Sequence, residues 1–334
     1  MKFKVVFSLL IFFSSCLAGF GDTSGYLSFE YIKGQKESDT HQGTFRNAQL
    51  GIIFSGEVIP EFDYAAEARY RETKVDVEQA WIRFKLSEAL SFKVGLYLVP
   101  FGRYNLSNRP HQTLLINLPL NVQEMYPSSW KDLGFLIEGK AGLLFYSAYL
   151  GNGLAEAENL KSSQQLEDNN KDKAKGARIG LLISQELFVG FSYYRGKYDK
   201  ESKRDITLYG ADFAWESENF HVISEYLKAQ VENPEPFSSG NAEGYFIQIY
   251  IDIDKLRPVV SYQNLKYDDP FHGKGFILPS YQGRGILEEQ SRWALGLVYF
   301  PSPYLLFKFE YDYNKEKTLE LQNNTLSVQV ALSF

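Results

Sequence analysis

Cysteine is nearly missing from this 334-residue chain: Cys16 is the single example, and histidine occurs only four times, at 41, 111, 221 and 272. No two histidines stand at a spacing that would place two metal ligands on one element. A Gly-x-Ser-x-Gly elbow is absent. Gly151-Asn152-Gly153 and Gly273-Lys274-Gly275 read as turn glycines, without the strand–loop–helix setting of a phosphate cradle. His221 and Ser224 are neighbours, but they fall on opposite faces of an extended segment and make no nucleophile pair. The chain is therefore expected to be no enzyme, and neither a metal nor a cofactor is implied.

Long apolar runs are missing as well. After residue 18 nothing approaches the roughly 20 residues that a spanning helix needs. Charged residues make up 23% of the chain and the formal charge is -6. With no basic cluster, nucleic acid is excluded as a partner. Residues 1–18 carry an export pattern: Lys2 and Lys4, an apolar core from Val5 to Phe13, and Cys16-Leu17-Ala18 ahead of a cleavage point. Cleavage after Ala18 would remove the only cysteine, and disulfides with it. Acylation of Cys16 competes with that reading, although the leucine usual three residues earlier is absent. Residues 19–334 form one domain, with no tandem repeat and no helical stretch bounded by caps.

What the chain has in quantity is aromatic residues, 16% of the total with 23 Tyr and 26 Phe, and a period of two. The clearest stretch is Gln79 to Arg103. Gln79, Trp81, Arg83 and Lys85 alternate with Ala80, Ile82, Phe84 and Leu86; after Ser87-Glu88-Ala89-Leu90, Phe92, Val94, Leu96 and Leu98 alternate with Lys93, Gly95 and Tyr97. This is a hairpin with one apolar and one basic face. Similar alternation predicts sixteen strands: 25–34, 44–57, 62–72, 74–86, 91–99, 131–139, 143–152, 176–184, 187–198, 204–216, 220–231, 243–253, 257–267, 290–300, 304–315 and 324–334.

The links between these strands are segregated. Those after even-numbered strands are short, such as 58–61, 87–90, 140–142, 217–219 and 301–303; the long polar ones (35–43, 100–130, 153–175, 199–203, 232–242, 268–289, 316–323) follow odd-numbered strands, with the tight link at Thr73 as the exception. Short turns on one side and long loops on the other are the pattern of an outer-membrane barrel. The last strand agrees. Leu326, Val328, Val330, Leu332 and Phe334 make an unbroken apolar face, and a terminal Phe334 of this kind resembles the signal read by the outer-membrane insertion machinery. In lipid every backbone polar group must be paired inside the protein, so a chain without spanning helices crosses as a closed barrel. The fold class is thus an all-β transmembrane antiparallel barrel of about sixteen strands, with short periplasmic turns and long extracellular loops. Outer-membrane lipids would surround it, and Tyr70, Tyr149, Tyr245, Tyr299, Tyr304 and Tyr313 are expected in its interfacial girdles.

The faces opposite the apolar ones would line a water-filled pore for small solutes in transit. They carry a basic group (Arg69, Arg71, Arg83, Lys85, Lys93, with Arg178 further on) and acids, among them Asp63, Glu67, Glu138, Asp212, Glu225, Glu310 and Asp312. Two arrangements are open: opposed basic and acidic walls that set a transverse field, or neutralising pairs without selectivity. The third long link, 100–130, holds Arg103, Arg109, His111 and Glu124 together with the apolar run Leu114-Leu115-Ile116-Asn117-Leu118-Pro119-Leu120. It is expected to fold into the barrel and narrow it.

The segment Glu78-Gln79-Ala80-Trp81 to Pro100-Phe101-Gly102-Arg103, and the entry Trp130-Lys131-Asp132-Leu133-Gly134, resemble the phosphate-selective porin O and P family over residues 76–135. The resemblance implies a sixteen-stranded outer-membrane porin of a Gram-negative-type bacterium, assembled as a homotrimer. Passive diffusion of small hydrophilic solutes or ions is the expected activity. A barrel whose extracellular loops bind a partner or surface, and an anion-selective (phosphate-type) porin, are the alternatives. The mixed lumen and the acids Glu156, Glu158, Glu167 and Asp168 of link 153–175 depart from the dense Arg and Lys ladder of phosphate-selecting members.

Overall fold

The structure is a computed structural model that describes residues 21–157, 159–233, 240–269, 289–317 and 320–334. The expected export signal, Cys16, Glu158, His272 and Gly273-Lys274-Gly275 lie outside the described residues. Sixteen antiparallel strands follow one another around a closed barrel. They are β1 (Asp22–Gly34), β2 (Thr44–Ile59), β3 (Phe62–Arg71), β4 (Lys74–Ser87), β5 (Leu90–Leu98), β6 (Lys131–Ala141), β7 (Leu144–Gly151), β8 (Ala174–Leu182), β9 (Leu187–Lys197), β10 (Asp205–Glu216), β11 (Phe220–Val231), β12 (Gly240–Ile251), β13 (Leu256–Asp269), β14 (Glu289–Ser302), β15 (Leu305–Glu316) and β16 (Thr325–Ser333). Two short helices, α1 (Tyr104–Ser107) and α2 (Leu120–Met125), lie in the link between β5 and β6.

Closure is made by β1 and β16, in register from Tyr26 opposite Ser333 to Gly34 opposite Thr325. Phe334 and Gly25 exchange two backbone hydrogen bonds of 2.8 and 2.9 Å, so the last residue completes the ladder. A closed ladder leaves no strand edge unpaired, the condition a spanning sheet must meet. Apolar side chains then point outward: Ile82, Phe135, Ile179, Phe191, Leu295 and Phe309 are exposed on the outer face. Among the described residues no helix is long and apolar enough to cross a membrane.

Among the register shifts of the ladder, two serve the interior. The register of β3 against β4 shifts between Glu67 and Ala68, opposite an extra residue in β4. That bulge turns Glu78 inward beside Gln79, whereas a strict alternation would send it to lipid. Asn47, with φ 52°, sits where β1 and β2 slip, and it places two donors on Glu30: Arg46 Nε at 2.6 Å and Asn47 Nδ2 at 2.8 Å. One expected girdle residue belongs elsewhere. Tyr149 faces inward, buried against Tyr97 at a ring separation of 6.4 Å, because β7 directs its odd positions to the lumen.

Candidate functional site: the loop across the lumen

The link from Val99 to Trp130 turns into the barrel, and its entry is built by the Pro-Phe-Gly motif. Phe101 is fully buried, packed on Trp130 with ring centroids 5.5 Å apart and lying over Gly210 of β10. Gly102 has φ +64°, and a Cβ there would press on the Glu225 carboxylate, so both backbone and surroundings favour glycine. Its N–H donates to Ser192 Oγ at 3.0 Å. The next two N–H groups, of Arg103 and Tyr104, both donate to Glu225 Oε2 at 2.8 and 3.0 Å. Asn105 ties the two ends of the loop: its side-chain amide donates to the carbonyls of Val99 and Trp130 and accepts from Trp130 N–H, all within 2.8–2.9 Å.

The apolar run then packs on the wall opposite β3. Leu115 fills the space above Gly296, where a Cβ would come within 2.5 Å of its Cδ2, and Asn121 sits over Gly244. Small inward residues on β10, β12 and β14 thus form the bed of the loop. The backbone of the run would be left without water, and the wall supplies acceptors. Glu310 accepts from the N–H groups of Ile116 and Asn117, Gln263 Oε1 from Leu120 N–H at 3.0 Å, and Lys308 Nζ donates to the Pro110 carbonyl at 2.7 Å. A buried peptide group without such a partner would cost about 1–3 kcal/mol.

The loop also reaches the other side of the lumen. Arg109 grips Glu67 of β3 with two bonds, Nη2–Oε2 2.5 Å and Nε–Oε1 3.0 Å. Arg69, held by Tyr26 Oη at 2.6 Å and by Glu78 at 3.3 Å, donates to Ser129 Oγ at 3.1 Å. Arg46 reaches Asn117 Oδ1 at 2.9 Å. The loop is therefore a crosspiece fastened to β1–β3 and to β9–β16. Polar space remains on both sides of it. One recess of about 110 Å³ is lined by Glu30, Asn47, Gln49, Arg69 and Arg71 and closed by the loop. A larger one of about 430 Å³, near the short turns, lies between Arg83, Glu138, Lys140 and Arg178 on the wall and Pro100 and Leu106 of the loop.

The expected pore residues separate into groups. Arg83 bonds both Asp63 and Glu138, Lys93 bonds Glu138 at 3.1 Å, Lys85 bonds Glu57 at 2.7 Å, and Arg178 bonds Asp212 at 2.5 Å. Lys93 and Arg83 also lie over the Trp81 ring, at 4.4 and 5.5 Å from its centre. Arg69, Arg109 and His111 belong to the fastening, with His111 against Tyr26 at 5.1 Å between ring centres. Burial, then the cations Arg109 and Lys308, push the imidazole of His111 down to about 4. Arg103 pairs with Glu216 toward the short-turn side. Glu124 is the exception to the expected placement: on α2 of the crosspiece it bonds Lys161 of link 153–175 at 2.9 Å and ties the two links together. Arg71 is exposed, opposite Lys74 in the ladder, and makes no ion pair within 4.0 Å among the described residues.

Of the two arrangements of charge that the sequence leaves open, the structure shows neutralising pairs along the lower wall. Arg83, Lys85, Lys93 and Arg178 of the lower wall each have a carboxylate beside them. The acids expected to face them across water, Glu225, Glu310 and Asp312, are 1%, 2% and 1% exposed beneath the loop. Sequence reasoning named Glu67, Glu225 and Glu310 as lumen charge but missed their use as loop anchors. It also missed Tyr26, Arg46 and Lys74. An apolar run without backbone acceptors of its own was the one available signal that the wall must provide them.

A closed sixteen-strand barrel with a long loop drawn across its lumen and polar space on either side defines a porin, a channel-forming barrel. A family model described as phosphate-selective porin O and P matches residues 24–205, more than half of the chain. The chain belongs to that family. An uncharacterized protein of Aquifex aeolicus (strain VF5) is 24% identical over 300 residues, spanning 80% of this chain and 68% of that protein. Solved barrels share the fold at low identity. The trimer form of OmpT from Vibrio cholerae has a TM-score of 0.65 at 11% identity, covering 94% of this chain and 99% of that one. The anion-selective porin from Comamonas acidovorans gives 0.67 at 8%, with coverage of 94% and 99%. OmpF of Salmonella typhi in complex with daunomycin gives 0.67 at 12%, with coverage of 94% and 97%.

Proposed function

We propose that this porin sits in the outer membrane of a Gram-negative-type bacterium as a homotrimer and passes small hydrophilic solutes and ions down their gradients, without catalysis. The observation that carries this reading is the crosspiece itself: it spans a wide lumen and leaves space between itself and the charged wall on both sides, recesses of about 110 and 430 Å³. Trimeric assembly draws support from the trimer form among its structural neighbours. Insertion through Phe334 draws support from that residue's place at the end of the last strand. Purified protein in a planar bilayer should give stepwise conductance. A folded, silent barrel would remove the channel reading and leave the loops as a partner-binding surface.

Anion preference is a second reading, favoured by Arg71. Together with Lys74 it presents unpaired positive charge at the long-loop mouth, where an entering anion is attracted before it meets the neutralised wall below. The reversal potential in a salt gradient measures this directly. A value showing cation preference in wild-type protein would exclude it.

A further inference from the structure

The outer surface is uneven around the long-loop rim. Near that rim the outward positions of β8, β9 and β11 carry Lys175, Arg195, Lys197 and Lys228, and β13 adds Lys266. The carboxylates on the same face include Asp205, which binds Arg195 at 2.7 Å and Lys197 at 2.9 Å, Glu243, which lies opposite Lys228 and Lys266 and accepts from Tyr226 Oη at 3.0 Å, and Glu289, which lies opposite Lys266 and pairs with Lys317 at 2.9 Å. Lys175 stands directly opposite Arg195 in the ladder, and both are exposed. Like charges facing each other across a ladder destabilise it unless an anion lies between them.

Toward the membrane middle from these cations comes a layer of outward rings. Tyr193 and Tyr209 lie 5.6 Å apart, and Tyr262 contacts Tyr245 at 6.1 Å and Trp293 at 4.9 Å. Rings with one polar tip, topped by cations, match the depth profile of a bilayer surface: hydrocarbon, then the ester and glycerol layer, then phosphate. The neighbouring strands β4, β6 and β7 present aliphatic side chains instead: Val75, Val77, Leu133 and Leu150 lie near the same rim, exposed by 59%, 46%, 46% and 46%.

We propose that Lys175, Arg195, Lys197 and Lys228 form a docking surface for phosphate-bearing lipid headgroups in the leaflet on the long-loop side. The inference rests on the membrane placement proposed above. A headgroup phosphate between Lys175 and Arg195 offers several acceptor oxygens to two cations that otherwise repel, while the rings hold the glycerol region beneath it. Asp205 holds Arg195 and Lys197 in place and leaves Lys175 and Lys228 as the groups with most to gain.

The test uses full-length protein in phosphatidylcholine vesicles with spin-labelled phosphatidylglycerol or spin-labelled phosphatidylcholine as the probe. The fraction of label immobilised at the protein surface gives the relative association. Phosphatidylglycerol should be held roughly three- to fivefold more strongly at low salt, with the preference fading toward parity near 1 M salt. The combined variant Lys175→Gln, Arg195→Gln and Lys228→Gln should lose the preference, and Lys85→Gln in the lumen should keep it. Equal association of both labels at low salt, whether from indifference or because a second copy covers the arc, would overturn the proposal. So would a preference that survives in the combined variant. If that variant does not fold, the salt titration of wild-type protein decides alone. Conductance recorded from the same preparation separates the two readings: a lipid preference in a silent barrel counts against the channel and leaves this surface standing.

Discussion

Replacing Arg109 by Gln cuts the fastening of the loop to β3 while leaving its bed on the far wall intact. The guanidinium gives Glu67 two charge-assisted bonds, of 2.5 and 3.0 Å, and its side chain is only 11% exposed. Removing one partner of such a pair costs about 3–5 kcal/mol when the other is left alone. Glu67 is not left alone. Gln79 Nε2 at 3.0 Å, Tyr26 Oη at 3.2 Å and Arg69 at 3.9 Å remain, which brings the expected loss to about 2–3 kcal/mol. At about 1.4 kcal/mol per decade, the population with the crosspiece detached from β3 should rise roughly 30- to 140-fold. Single-channel recording is the assay. The variant should make frequent visits to a larger conductance level that wild-type protein visits rarely, and Glu67→Gln should produce the same level. In the double variant the two effects should not add, since both remove one contact. Unchanged traces in both single variants would mean that the bridge does not set the width of the passage.

Gly102→Ala should also loosen the loop, from its entry, because the new methyl meets the Glu225 carboxylate at 2.4 Å and the backbone there has φ +64°; a variant that resists limited proteolysis of the loop as wild type does would count against this anchor. Arg71→Glu should move the reversal potential toward cations more than Arg83→Glu combined with Lys85→Glu, whose charges are already offset by Asp63, Glu57 and Glu138; the reverse order would place the selective zone near the short turns. Because the docked imidazole of His111 titrates at about 4 rather than its ordinary 6.5, a detached loop takes up a proton first. Docking should therefore be insensitive to this group above 6.5 and weaken as the pH falls from there toward 4; His111→Gln should flatten that part of the pH dependence of channel noise, and an unaltered profile would assign it to other groups.

The strand count, the order of strands and the side on which the long loops fall were legible in the chain. Each follows from a local rule: a side-chain period of two, apolar faces that cannot carry charge in lipid, and turns too short to hold a domain. Lipid imposes these rules on every strand separately, so Leu326 to Phe334 or Phe92 to Leu98 can be read without their neighbours. The hairpin at Gln79 to Arg103 showed its two faces, and its exit motif marked the family. Where the alternation slips, at Glu78, a strict period of two would point it to lipid, since a bulge is decided by what the extra side chain can bind across the barrel.

The charges were legible as a list and not as an arrangement. Asp63 and Arg83 stand opposite each other because two strands close at one register; Glu225 and Arg103 are 122 positions apart and meet only because the loop turns inward. Whether an acid faces water or caps a buried backbone depends on what lies over it, and that is a property of the closed barrel. Sequence placed a pore behind the apolar faces. Tertiary structure decided that its acidic wall is the bed of the crosspiece, that most of its cations are already paired, and that Arg71 at the mouth is not.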